Sequence, residues 1–297
     1  MKNHAFKACH PLVNLLYFVC VIGFSCFSMH PVCLGLSLIC GVLYLTLLKG
    51  GAAVWGNLVF LLPMAAVMAV MNPLFNHQGV TILWYFPGGN PLTLEAVLYG
   101  VLAAGMVLSV LLWFSCLRQV MTDDKVVYLF GKGAPALSLV LSMTFRFVPE
   151  FLARFQKVAR ARQGMGQDLT RGKRKDRLKG AFAILSGVTT WSLENAMDTA
   201  DSMRARGYGI PGRTAFSIFR LDGRSVRMMG ILLVLGGLVL YGGVSGAMDF
   251  RCYPAITGAG VTVENLPFFI GYFLLCSCPL FLELWEVKRW NSTKSKP

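Results

Sequence analysis

The sequence predicts an all-α integral membrane protein with about six transmembrane helices and added amphipathic helices, and three observations carry that expectation. The 297 residues are 55% hydrophobic and 14% charged, with a mean hydropathy of +0.59, whereas a soluble domain is ~25% charged. Apolar residues gather in runs near the ~20 that cross a bilayer. The net charge of +14 is concentrated, since seventeen of the 28 Lys and Arg lie between Arg146 and Arg227. These cations adjoin membrane segments and lack the interleaved aromatic surface of a nucleic-acid site, so cytoplasmic retention explains them and no nucleic-acid partner is expected.

Taken in order, residues 1–117 read as about four membrane helices, 118–227 as a cytoplasmic or interfacial region, and 228–297 as about two membrane helices with a short basic tail. Residues 1–7 are basic, and the apolar run 12–27 is followed by no small-residue cleavage site with a polar domain after it, so it reads as a membrane helix and not a leader. His30-Pro31 makes a turn, 32–48 returns to Lys49, and 52–71 crosses again through Pro63 to an end at Asn72-Pro73. Residues 76–91 hold Asn76-His77-Gln78-Gly79 and Pro87-Gly88-Gly89-Asn90-Pro91 and no Lys or Arg, which marks an external loop. The run 92–117 then crosses inward to Arg118.

Residues 126–148 are apolar but broken by Gly131, Lys132, Gly133 and Pro135, so an interfacial or packed segment is expected there instead of a span. Residues 166–180, with Arg171, Lys173, Arg174, Lys175 and Arg177, form a basic linker suited to facing anionic headgroups. The run 228–247 crosses outward, 249–266 is an external loop, and 267–284 returns to Lys288 and Arg289. Six crossings with both termini inside satisfy the positive-inside rule at every loop. Glycines 100, 105, 236, 237, 242 and 246 read chiefly as the ordinary small-residue content of membrane helices. Nine cysteines scattered through apolar stretches read as buried thiols, with neither disulfides nor metal expected.

Two amphipathic runs stand out in the basic region. The first sets Phe147, Phe151, Phe155 and Val158 at helical spacing, with Glu150, Arg154, Lys157 and Arg160 turned away, and closes on Ala159-Arg160-Ala161-Arg162-Gln163-Gly164. The second sets Leu193, Met197, Ala200 and Met203 on one side, with Glu194, Asp198, Asp201 and Arg204 elsewhere, and closes on Met203-Arg204-Ala205-Arg206-Gly207-Tyr208-Gly209. Each motif is an Ala-Arg pair followed by a glycine break. Arginine near a helix C-terminus and glycine just past it is also ordinary cap chemistry, so a docking role and a capping role both remain open on these residues alone.

Catalytic chemistry is sparse. No Gly-x-x-x-x-Gly-Lys-Ser/Thr loop exists, since Gly131-Lys132 and Gly172-Lys173 lack the upstream glycine and the following hydroxyl, so this chain does not hold ATP by that route. The match of residues 207–212 to Gly-x-Gly-x-x-Gly follows a helix where a dinucleotide fold needs a strand. Glu194, Asp198 and Asp201 have a spacing seen in metal-binding acidic helices, yet Arg204 and Arg206 beside them favour surface pairing. His4, His10, His30 and His77 lie far apart, and no catalytic, cofactor or metal residue is assigned.

The stretch Met143-Thr144-Phe145-Arg146-Phe147-Val148-Pro149-Glu150-Phe151-Leu152 leading to Ala161-Arg162-Gln163-Gly164, followed by Ala200-Asp201-Ser202-Met203-Arg204-Ala205-Arg206-Gly207-Tyr208-Gly209, resembles the transmembrane T component of energy-coupling factor transporters, the CbiQ/EcfT family. The resemblance covers residues 140–213 most specifically, with His10-Pro11 and Asn90-Pro91-Leu92-Thr93-Leu94-Glu95 in keeping. It implies a non-catalytic subunit, in the plasma membrane of a prokaryote, that joins two cytoplasmic ABC-type ATPase subunits to a membrane substrate-capture (S) subunit for a vitamin or metal ion. ATP would be bound by those partners and not by this chain. It further implies that Ala161, Arg162 and Gln163, and Ala205, Arg206 and Gly207, dock on the ATPases, supported by Arg160, Gly164, Arg204, Phe151, Phe155, Met197 and Met203. The first motif departs from the family pattern in having Gln163 before Gly164. A membrane-embedded metal-dependent transferase and a secondary transporter are the alternatives; the first would need more carboxylates facing one cavity, the second intramembrane charges or repeated broken helices.

Overall fold

The computed structural model describes residues 6–85, 90–166, 174–210, 219, 221–258, 260 and 262–294. It is an all-α integral membrane protein. Nine helices occur among the described residues, namely α1 Pro11–Phe27, α2 Pro31–Lys49, α3 Gly51–Phe75, α4 Leu94–Val120, α5 Asp123–Gly133, α6 Pro135–Gly164, α7 Arg174–Ala205, α8 Gly223–Val244 and α9 Leu266–Lys294. Two small antiparallel hairpins, β1 Ile82–Tyr85 with β2 Pro91–Thr93 and β3 Phe250–Arg251 with β4 Thr257–Gly258, lie within the expected external loops. The chain divides into two compact units, one of Met1–Thr122 with Phe219–Pro297 and the other of Asp123–Ile218. The central unit is narrower than the basic region 118–227, because Arg118 falls inside α4 and Arg224 and Arg227 inside α8, at the ends of membrane helices.

Six helices are long and apolar enough to cross a bilayer: Pro31–Lys49, Val54–Phe75, Leu94–Val120, Ala136–Gly164, Gly223–Val244 and Leu266–Glu286. Five of these, α2, α3, α4, α8 and α9, are expected crossings, and α6 joins them by length and composition alone. Helix α1, at 17 residues, is short of the usual ~20, while the apolar piece expected to be interfacial runs on into α6 to make one long helix. The break at Gly133 and Ala134 is real, and Pro135 then opens α6 at its first turn, where a missing N–H costs nothing.

In the first unit, α1 and α2 begin alike. His10 and His30 each turn Nδ1 back to accept from the amide two residues on, Leu12 and Val32, both at 3.3 Å, and each is followed by Pro at the first helical position. The core is aromatic: Tyr17, Phe18, Tyr44 and Trp113 are fully buried, with Phe6 edge-on to Tyr17 at 5.1 Å and Tyr17 edge-on to Trp113 at 6.0 Å. A chain of hydroxyls crosses the same core, with Ser37 Oγ 2.6 Å from Ser109 Oγ and 3.0 Å from Ser25 Oγ, which is 3.1 Å from Tyr272 OH. Trp113 Nε1 donates to Ser37 Oγ at 2.8 Å. Four helices are thereby tied by polar groups that satisfy one another where no water is at hand.

Helix α3 does not end at Asn72-Pro73 but runs through to Phe75. The Ala69 carbonyl, whose helical partner would be the amide that Pro73 lacks, faces Gly100 of α4, where a Cβ would stand 2.6 Å from it. Asn72 Nδ2 donates to the Ala96 carbonyl at 2.8 Å, so α3 is pinned to α4 in the turn that leads into the proline. Gly100, and Gly242 against Phe268, are thus required for close helix approach, while a Cβ at Gly105, Gly237 or Gly246 would meet nothing within 4 Å. At the head of α4, Thr93 Oγ1 accepts from Ala96 N and donates to the Gln78 carbonyl, and buried Glu95 accepts from Thr81 N and Oγ1, which fastens the first hairpin to the helix.

Candidate functional site

The second unit holds α5, α6 and α7, and with them every residue of the two Ala-Arg motifs. Helix α5 folds back on α6 through Ser138 Oγ, which donates to the Val127 carbonyl at 2.9 Å. Helices α6 and α7 meet at an aromatic contact: Phe151 is edge-on to Trp191 with centroids 5.9 Å apart, Phe147 lies tilted behind Phe151 at 6.3 Å, and the Arg154 guanidinium lies 4.5 Å over the Trp191 ring. Arg154 is exposed, as its spacing predicts, and from that face its guanidinium also covers the joint. Phe147, Phe151 and Val158 are half-buried, as their shared face requires, and Phe155 is exposed. At 1.5 Å per residue, Arg162 lies roughly 16 Å along α6 beyond Phe151 and Arg206 roughly 22 Å along α7 beyond Trp191.

The packing face of α7 differs from the expected one. Leu193 and Met197 are each 63% exposed, and Ala200 is exposed too. Ile184 and Val188 are buried, with Trp191, Asn195, Thr199 and Met203 half-buried along the same side. Two apolar stripes run along this helix, and only the one through Ile184, Val188 and Trp191 is covered within the unit.

The two motifs end their helices in different registers. Helix α7 stops at Ala205, and Gly207 takes φ +77°. The Tyr208 amide bonds the Met203 carbonyl at 3.0 Å and the Gly207 amide bonds the Arg204 carbonyl at 3.0 Å, the paired bonds of a Schellman cap with Gly207 as its left-handed residue. Arg206 is consequently the capping residue itself. Its amide still reaches the Ser202 carbonyl at 3.2 Å, its side chain is exposed, and that side chain has no hydrogen bond or ion pair among the described residues. Arg204 is exposed beside Asp201, 3.6 Å away across the preceding turn.

At the end of α6 the glycine that follows the motif is not the cap. Gly164 is still helical, and the left-handed residue is Gly166, with φ +80° and its amide on the Gln163 carbonyl at 3.0 Å. Arg162 therefore sits three residues before the capping residue Met165, on the helix cylinder, and is half-buried. Arg160, Ala161, Gln163 and Gly164 are exposed, as is Ala205 in the second motif, while Gly207 is half-buried. Measured from the caps, Arg162 corresponds to Met203 and Arg206 to Met165. Gly166, Trp191 and the Arg154 contact escape the sequence reading, although Trp191 falls on the period of Ile184 and Val188. Of the basic linker, Arg171 and Lys173 lie outside the described residues, as do His4, Pro87, Gly88, Gly89, Pro211 and Gly212.

No family model matches the chain. Curated relatives do. The chain is 34% identical over 126 residues to the energy-coupling factor transporter transmembrane protein EcfT of Listeria innocua, which is 42% of this chain and 46% of that protein. It is 33% identical over 106 residues to the EcfT of Exiguobacterium sibiricum, 35% of this chain and 40% of that one. It is 30% identical over 106 residues to the EcfT of Bacillus subtilis, again 35% and 40%. The chain spans less than half the length of the curated relatives it matches. With six long apolar helices, this is a multi-pass membrane protein that over part of its length is similar to the transmembrane T components of energy-coupling factor transporters.

Proposed function

We propose that this chain is the coupling subunit of an ATP-driven importer, in which two ABC-type ATPase subunits seat on the ends of α6 and α7 and a separate membrane capture (S) subunit supplies the vitamin or metal ion. The chain itself performs no chemistry. ATP is bound and hydrolysed by the partners, the membrane is the plasma membrane of a prokaryote, and both chain termini face the cytoplasm with the basic region.

The observation that carries this is the exposed Arg206 at the capping position of α7, held on a rigid Schellman turn with its guanidinium unoccupied among the described residues. Arginine is permanently charged and its planar fork engages a carboxylate through two hydrogen bonds, so a cap arginine at the tip of a packed helix is a directional anchor for an acidic groove. The Phe151, Trp191 and Arg154 joint links the two tips, so closure of the ATPases on both ends would move the pair as one body.

The test is Arg206→Glu in the chain co-expressed with its ATPases. Loss of one partner from a desolvated ion pair costs about 2–5 kcal/mol, so co-purification of the ATPases and uptake should both fall while the chain still inserts in the membrane. A solvated cap charge would cost under about 1 kcal/mol. Retention of full assembly and full uptake by Arg206→Glu overturns the docking role.

A further inference from the structure

The first third of α7 carries an arrangement that neither the Ala-Arg motifs nor the joint with α6 uses. Leu178, Phe182 and Leu185 are exposed, at 58%, 67% and 54%, and their spacing of four and three sets them in one stripe along the helix. At about 100° per residue, Arg174 and Arg177 flank that stripe on one side and Lys175 and Lys179 on the other. All four cations are exposed. The acidic residues of the helix, Asp176, Glu194, Asp198 and Asp201, fall on the sector opposite the stripe. Arg174, Arg177, Leu178 and Ala181 also line an open depression on this surface.

We propose that this segment of α7 lies in the headgroup region of a bilayer rich in anionic lipid, with Leu178, Phe182 and Leu185 inserted and the four cations holding lipid phosphates on both flanks. Charge decides between possible occupants. An apolar stripe alone suits any greasy partner, but cations on both edges, with aliphatic stems long enough to lie along the apolar surface while their heads reach outward, match the boundary between acyl chains and anionic headgroups. The carboxylates on the far side keep negative charge away from that boundary. A second use of the same helix follows, since its distal end presents Arg206 while its proximal end grips the membrane, which fixes the orientation of the helix in the plane of the bilayer.

The experiment places a photo-crosslinking amino acid at Phe182 of the full-length chain in nanodiscs of phosphatidylcholine alone or with phosphatidylglycerol, and reads lipid adducts by mass spectrometry. Each cation near an anionic surface favours binding by about fivefold. Phosphatidylglycerol adducts should therefore exceed their share of the bilayer at least ~3-fold, and this enrichment should disappear when Arg174, Lys175, Arg177 and Lys179 are all changed to Gln. The same crosslinker at Asp198, on the opposite sector, should give no lipid adduct. Absence of lipid adducts at Phe182 in either nanodisc, or adducts with no preference for phosphatidylglycerol, overturns the proposal. So does capture of a protein in place of lipid when the crosslink is made in native membranes. Because Phe182 is largely exposed, its replacement leaves the fold intact, and recovery of the variant as a monodisperse nanodisc confirms that before the adducts are read.

Discussion

The ends of α6 and α7 carry the same Ala-Arg pair, yet the two chains of atoms finish differently. In α7 the arginine is the capping residue, one position before a left-handed glycine; in α6 it is three positions before the cap, and the glycine beside the motif is an ordinary helical residue. A side chain at the cap points past the helix into whatever lies ahead, whereas one in the last turn points sideways from the cylinder. The half-buried Arg162 and the exposed Arg206 express that difference. Two tips with one sequence signature are thus not interchangeable, and a partner that meets both would meet them in different orientations.

The largest structural effect should come from the joint that both tips share. Trp191→Ala removes the edge-on contact to Phe151 and the guanidinium of Arg154 together, about 2 kcal/mol for a half-buried aromatic with both interactions. Hydrogen exchange of the detergent-purified chain should then quicken in α6 and α7 alike. Faster exchange in only one of them would mean that the tips are held independently and that the joint does not couple them.

Next come the cap glycines, which act on one tip at a time. Gly207→Ala forces an L-residue to φ +77° and brings a Cβ to 3.1 Å from Ile210 Cδ1, at a cost of about 1–2 kcal/mol. Gly166→Ala, at φ +80° with open space around it, should cost about 1 kcal/mol. Gly164→Ala should do the reverse. That residue is helical with nothing within 4 Å of an added Cβ, so alanine there should stabilise the end of α6 by about 0.5–1 kcal/mol. Melting of the purified variants separates the two registers: if Gly164→Ala destabilised as Gly166→Ala does, the helix would end at the motif after all and the tips would be alike.

Much of this was legible in the sequence, and the failures have physical causes. The apolar runs, the break before Pro135 and the stop at Gly207 follow from hydropathy, from proline's missing donor and from glycine's freedom at positive φ, all local properties. Three features were not local. Helix α6 takes the apolar piece expected to be interfacial and the amphipathic run into one helix, because the hydrogen bond lost at Pro149 does not end a long helix that is packed on both sides of it. Helix α3 passes Pro73 for the same reason, with Gly100 and Asn72 supplying the compensation from a different helix and from the adjoining residue. The packed face of α7 was misjudged because the helix has two apolar stripes, and in a protein with membrane and protein partners an apolar stripe says that something covers it, not what. Nothing in the spacing of Leu193 and Met197 distinguishes them from Ile184 and Val188; Trp191 and its contacts on α6 decide.

The smallest expected effect separates ion pairing from metal binding at the α7 tip. Asp201 and Arg204 stand 3.6 Å apart, one turn apart on the helix, with 77% and 81% of their side chains exposed. In water such a pair is screened and flexible, worth under about 0.5 kcal/mol and less at high salt. Asp201→Asn should therefore leave the melting temperature and ATPase co-purification almost unchanged, with the small loss vanishing in 0.5 M salt, a concentration at which the screening length is only about 4–5 Å. If instead Glu194, Asp198 and Asp201 formed a cation site, divalent metal would raise the melting temperature of the native chain and not that of Asp201→Asn, because a ligand that binds only the folded state stabilises it by mass action. That metal-dependent difference would remove the docking reading from this helix end and favour a metal-dependent transferase, since an acidic cluster holding a cation beside Arg206 would neutralise the contrast in charge that sets this tip apart from the first.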